Sequence, residues 1–188
     1  MEKTYQILKL LILVLLIAVL IVGAYVLYGS LTARMDAPEI TVAQTEQEAN
    51  AAPDFTFYDL EGGSHTLTEF RGTPVILNFW ASWCGPCKSE MPEFQTAFEA
   101  YGEQIQFLVV NLTDGSRETK ETAHAYVEEK GYTFPVYYDS DMAGAMAYGV
   151  YAVPVTYFID EEGNLVTQAM GMLTKETLQQ GIDALLDS

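Results

Sequence analysis

The chain has 188 residues, with 26 acidic against nine basic side chains and a formal charge of −17 at neutral pH. Nucleic acid and anionic lipid surfaces are bound by cationic faces that replace counterions, so this balance argues against both as ligands and suits basic proteins or plain solubility. The length suffices for an N-terminal appendage and one globular domain of ordinary size.

Residues 1–9 carry Lys3 and Lys9 and are expected in the cytoplasm. Residues 10–28 contain no charged side chain. At about 1.5 Å per residue they span roughly the 30 Å hydrocarbon core, which predicts a single transmembrane anchor. A cleaved signal peptide has a shorter apolar region; Ala24, Gly29 and Ser30 leave cleavage open. Arg34 is the only other early basic residue, and from Asp36 onward 25 acidic face six basic residues, a charge of −19. The positive-inside rule therefore puts the rest of the chain outside the cytoplasm, at the cell membrane. Residues 29–52 are polar, small and acidic, and are expected to be a flexible linker to a domain over 53–188.

Within that domain, residues 55–58 alternate and run into a Glu61-Gly62-Gly63-Ser64 turn, predicting a hairpin whose second strand lies over 66–69. The apolar run 75–80 suits a strand buried on both faces. A helix is predicted from about 84 to 101, with Pro92 as a kink and Gly102 as its stop, and a strand over 105–111 completes a right-handed β-α-β unit. An exposed helix over 116–130 ending at Gly131, a strand over 133–138 and a short helix over 142–148 follow. Strands over 153–159 and 165–169, joined by the turn 161–164, precede a last helix over 175–186 with Thr174 as N-cap. This order gives an α/β sandwich around a central mixed sheet, with an N-terminal hairpin and an inserted helix.

The chemistry lies in Trp83-Cys84-Gly85-Pro86-Cys87, which holds both cysteines of the chain at a strand-to-helix junction. A thiolate at a helix N-terminus is favoured by the unpaired N–H groups and the helix dipole, so Cys84 is the expected attacking group. Cys87, one turn on, is placed to attack a mixed disulfide and release the partner. A zinc site lacks further cysteines, and His65 and His124 have no paired spacing. A structural disulfide across so short a loop stabilises weakly. Redox exchange remains as the reading that uses the pair, with Met142, Met146, Met170 and Met172 expected as packing residues.

The run from Val75 through the cysteine pair to Pro92 resembles the thioredoxin superfamily and, within it, the membrane-tethered TlpA/ResA-like thiol–disulfide oxidoreductases. The resemblance spans about 53–188 and implies a thioredoxin-like sandwich. It implies Cys84 as nucleophile, Cys87 as resolver, and a cis-proline opposite them at Pro154, where Val153 and Pro154 offer backbone groups to an incoming peptide. Trp83 is expected at the rim of the site, with Trp80 at the rim or in the core. Thioredoxins bury an aspartate where this chain has Asn78, a departure, since an amide does not titrate near neutral pH. Glu90 matches a glutamate of the TlpA/ResA-like proteins and lies three residues beyond Cys87, on one helical face. There it is expected either to accept the Cys87 proton or to point into solvent. Lys88 is expected only to solvate the surface.

The implied partners are disulfides of exported or membrane-bound proteins, such as apocytochrome c cysteines, and a CcdA/DsbD-like membrane protein as electron donor. No cofactor or metal is expected beyond the redox-active Cys84-Cys87 disulfide. The Gly-Pro dipeptide leans toward a reductase; a disulfide oxidase or isomerase stays open. A peroxiredoxin has threonine where Ala81 stands, and a Sco-like copper-binding module needs a spacing of three between its cysteines.

Overall fold

The computed structural model describes residues 20–23 and 51–188. The expected anchor and linker lie outside them, apart from a helical stretch at 20–23 and residues 51 and 52. Among the described residues no helix is long and apolar enough to cross a membrane.

The domain is built on a seven-stranded sheet. Strands β1 (Thr56–Tyr58) and β2 (Ser64–Thr66) form the antiparallel hairpin. A 3₁₀ turn (Leu67–Phe70), β3 (Val75–Trp80), α1 (Gly85–Tyr101) and β4 (Gln106–Asn111) come next. They are followed by α2 (Lys120–Lys130), β5 (Val136–Tyr138) and the one-turn helix α3 (Ala143–Ala147). The chain closes with β6 (Val155–Ile159), β7 (Leu165–Met170) and α4 (Lys175–Leu186). The strand order is β2-β1-β5-β4-β3-β6-β7. The centre β3-β4-β5 is parallel, and β6 and β1 pair antiparallel with its two sides, so the sheet is mixed as expected.

The continuous apolar run in β3 is explained by its two faces. Ile76 and Trp80 enter one core with Phe94, Phe107, Val109, Phe158 and the buried residues of α1, α2 and α4. Val75, Leu77 and Phe79 enter the other, with Phe55, Phe57, Leu108 and Val110. Asn78 lies between Ile76 and Trp80 on the α1 side, because strand side chains alternate. Its register partner across β3 and β6 is Thr156. Both are fully buried, so a polar pair sits in the apolar layer beneath the start of α1.

Several boundaries differ from expectation, each for a local reason. The return strand was expected over 66–69, but β2 ends at Thr66, which starts the 3₁₀ turn and donates its N–H to Glu69 Oε1 at 3.1 Å. A Thr-x-x-Glu capping signal outweighed the strand pattern. The inserted helix begins at Lys120 rather than 116, because the Asp114 carboxylate accepts the N–H groups of Ser116, Arg117 and Glu118 and Thr119 is the cap. β5 is three residues long and starts just after Pro135, which has no N–H to give a ladder. The Asp139 carboxylate accepts from the N–H groups of Gly144 and Ala145 at 3.1 and 2.8 Å and so holds α3, while burial pushes its carboxyl pKa up.

α4 packs on β6 through Gly181. A Cβ at that position would overlap the Phe158 ring. Gly181→Val is therefore expected to lower stability by about 1–3 kcal/mol through overpacking, despite the better helix propensity of valine. The midpoint of urea unfolding measures it; an unchanged midpoint would mean that Phe158 moves aside freely.

Candidate active site

β3 ends beneath the loop that carries the motif, and Cys84 is the N-cap of α1. Its backbone N–H donates to Ala81 O at 3.1 Å. Pro86 stands in the first turn, where a missing N–H costs nothing. Cys84 and Cys87 are joined as a disulfide with Cα atoms 5.3 Å apart. The Cys87 N–H donates to Cys84 Sγ at 3.2 Å. That bond is the one a thiolate at Cys84 would retain, in addition to the helix dipole. The two sulfurs are not equivalent in position: Cys87 has no solvent exposure, whereas Cys84 keeps 4%.

Pro154 follows a cis peptide bond. The Val153 carbonyl oxygen lies 3.5 Å from Cys84 Sγ, and Pro154 O accepts from the Gly171 N–H at 2.9 Å. The structure thus brings Cys84, the Val153-Pro154 bond and the end of β7 together. Trp83 stands at this rim, 41% exposed, while Trp80 is wholly core. Met146, Met170 and Met172 are exposed rather than packed, which corrects the expectation for these three. They belong to α3, to the last position of β7 and to the segment after it, where the sequence pattern carries no sign of how much of the chain lies above them.

Glu90 points inward, not to solvent. Its Oε1 accepts from Asn78 Nδ2 at 3.0 Å, and its Oε2 accepts from the Leu173 N–H at 2.8 Å. Asn78 Nδ2 donates also to Thr156 Oγ1 at 3.0 Å. Burial raises the Glu90 pKa to about 7, and the two donors oppose this only in part. Cys87 and Glu90, one turn apart on α1, are both fully buried. A carboxylate that titrates near neutrality can take a proton from a neighbouring thiol and return it.

Three site residues escaped the sequence. Leu173 holds Glu90 from 83 positions away in the chain, Thr156 holds the Asn78 amide that donates to it, and Glu118 is fully buried although its segment looked like an exposed helix. Glu118 accepts from the N–H and the hydroxyl of Ser82, both at 2.8 Å, and from Asn111 Nδ2 at 2.7 Å. The Thr119 cap directly after it was the one local sign that position 118 precedes the helix. Lys88 is exposed, with its ammonium 5.9 Å from the centre of the Tyr126 ring. His65 sits between Asp59 and Glu69, and His124 beside Glu128. Among the described residues no group of histidine, cysteine, aspartate and glutamate side chains could hold a metal ion.

The chain is similar in sequence and fold to known proteins. The family profile described as AhpC/TSA family matches residues 49–168. The thiol-disulfide oxidoreductase ResA of Geobacillus thermodenitrificans is 38% identical over 137 residues, which cover 72% of this chain and 76% of that protein. The thioredoxin-like protein YneN of Bacillus subtilis is 34% identical, covering 73% and 79%. Among solved structures, StoA from Bacillus subtilis superposes with a TM-score of 0.60 at 27% identity, covering 70% of this chain and 97% of that one. The exposed lipoprotein thioredoxin Etrx1 from Streptococcus pneumoniae gives 0.59 at 31%, covering 70% and 99%. With the buried carboxylate beneath a cysteine pair at a helix start, these matches make the chain a member of the AhpC/TSA family and, within it, a ResA-like thiol–disulfide oxidoreductase of thioredoxin fold.

Proposed function

We propose that this protein is anchored in the cell membrane by residues 10–28 and reduces specific protein disulfides outside the cytoplasm through Cys84 and Cys87. The observation that supports this most is the unequal placement of the sulfurs, one at the rim beside Val153 and one buried with Glu90. The Cys84 thiolate attacks one sulfur of the substrate disulfide, forming a mixed disulfide and expelling the other sulfur as a thiolate. Cys87 gives its proton to Glu90, and its thiolate attacks Cys84 Sγ. The second substrate sulfur leaves, and the pair closes as the Cys84–Cys87 disulfide, two electrons having passed to the substrate. The Glu90 proton is then available to the departing thiolate. Val153 and Pro154 present backbone groups to the substrate segment, with Trp83 at its side.

An oxidising compartment requires that electrons be resupplied, and a CcdA/DsbD-like membrane protein is the proposed donor. Apocytochrome c cysteines are the substrates that best fit a reductase of this kind. The experiment is the reduction potential of the Cys84/Cys87 couple in the full chain, by equilibration with thiol buffers. A value below about −220 mV is expected; one near −120 mV would make the protein a disulfide donor instead. Protease accessibility of residues 53–188 in intact and permeabilised cells tests the orientation, with digestion in intact cells expected.

A further inference from the structure

Residues 114–118, between β4 and α2, grip the redox loop at two adjacent points. The Asp114 carboxylate accepts from the N–H groups of Ser116, Arg117 and Glu118 at 2.7, 2.8 and 3.0 Å, which sets the turn. Glu118 then bolts the turn to Ser82 through the two 2.8 Å bonds described above. Its neighbour Arg117 is exposed and lays its guanidinium 3.6 Å from the centre of the Trp83 ring. Ser82 and Trp83 directly precede Cys84, so the buried Glu118 anchor sets a cation over the side chain of the residue before the outer cysteine.

Stacking on an indole occupies one face of a guanidinium and leaves its in-plane N–H edges free. Among the described residues no carboxylate forms an ion pair with Arg117. The chain from Asp36 onward has only six basic residues against 25 acidic ones, and this one is kept at the rim of the redox site. A fork of donors with a fixed position and a partly dehydrated face suits a planar carboxylate, which it meets through two parallel hydrogen bonds.

Building on the oxidoreductase reading above, we propose that Arg117, stacked on Trp83, is a specificity-determining residue that takes an aspartate or glutamate side chain beside the attacked cysteine of the protein substrate. The acidic body of the domain repels such a substrate at long range, so the selection operates at contact. A preformed site loses little side-chain freedom on binding, which is why a single exposed arginine suffices.

Three disulfide peptides that differ only by Glu, Gln or Lys next to the cysteine test this with the full chain, its Arg117→Gln and Arg117→Lys variants, and Arg71→Gln as a control for net charge at the opposite end of β3. The ratio of kcat/KM for the Glu peptide to that for the Lys peptide is expected to fall about three- to tenfold in Arg117→Gln. It should recover only in part in Arg117→Lys, whose ammonium lacks the planar fork, and stay near the wild-type ratio in Arg71→Gln. An unchanged ratio in Arg117→Gln would overturn the proposal. So would an equal slowing of all three peptides with a raised pH midpoint for Cys84 alkylation, which would assign Arg117 to the thiolate instead. Absence of turnover by the wild-type chain on every peptide would overturn the oxidoreductase reading itself and this inference with it.

Discussion

Cys84→Ser is expected to lower the rate of disulfide reduction by the order of 10³-fold or more, because a hydroxyl at that position has no anion near neutral pH to attack sulfur. Cys84 is the N-cap of α1, receives the Cys87 N–H at its sulfur, and keeps some exposure where Cys87 has none. The complementary variant distinguishes the order of attack. Cys87→Ser leaves the outer thiolate in place and removes the group that resolves the mixed disulfide, so a covalent adduct through Cys84 should accumulate and be visible by mass spectrometry. Substantial turnover by Cys84→Ser, or an adduct-free Cys87→Ser, would reverse or remove the assigned roles.

Glu90 carries the second large effect, this time on stability. Its pKa rises from 4.5 to about 7 in the folded chain because burial disfavours the carboxylate. A raised folded pKa means that the folded state binds the proton more tightly. The resulting stabilisation is complete below about pH 4.5 and is lost as the pH rises through about 7. At about 1.4 kcal/mol per pKa unit, this single group costs the oxidised protein about 3 kcal/mol between those limits. Urea unfolding of wild type and Glu90→Gln from pH 4 to 8 isolates it. Carboxylates held below their usual range, such as Asp59 and Asp114, titrate the other way but are common to both proteins. The difference between the two curves should therefore fall with rising pH by about 3 kcal/mol. Release of the bound partner should also accelerate through about pH 7 in wild type, as Glu90 becomes able to accept the Cys87 proton, and lose that limb in the variant. Parallel stability curves would mean that Glu90 is solvated, contrary to its two buried hydrogen bonds.

These expectations draw unequally on sequence and on fold. The sequence by itself determined the features that depend on a short window: the strand 75–80 from its unbroken apolar run, the helix behind the cysteine pair with Cys84 at its start, and the Thr174 cap of the last helix. It was weakest where side chains cap backbone locally, as at Thr66 and Asp114, since the same residues fit a strand or a helix until their hydrogen bonds are assigned. Only the tertiary structure decided that Glu90 is buried, because that outcome rests on Asn78, Thr156 and Leu173, which converge through the β3–β6 register and the segment after β7. Only the tertiary structure decided, too, that Glu118 anchors Ser82 across 36 residues of chain and that Arg117 lies on Trp83. Periodicity and propensity act between near neighbours, whereas the charge and protonation of a site depend on which distant groups the packed sheet excludes from water together.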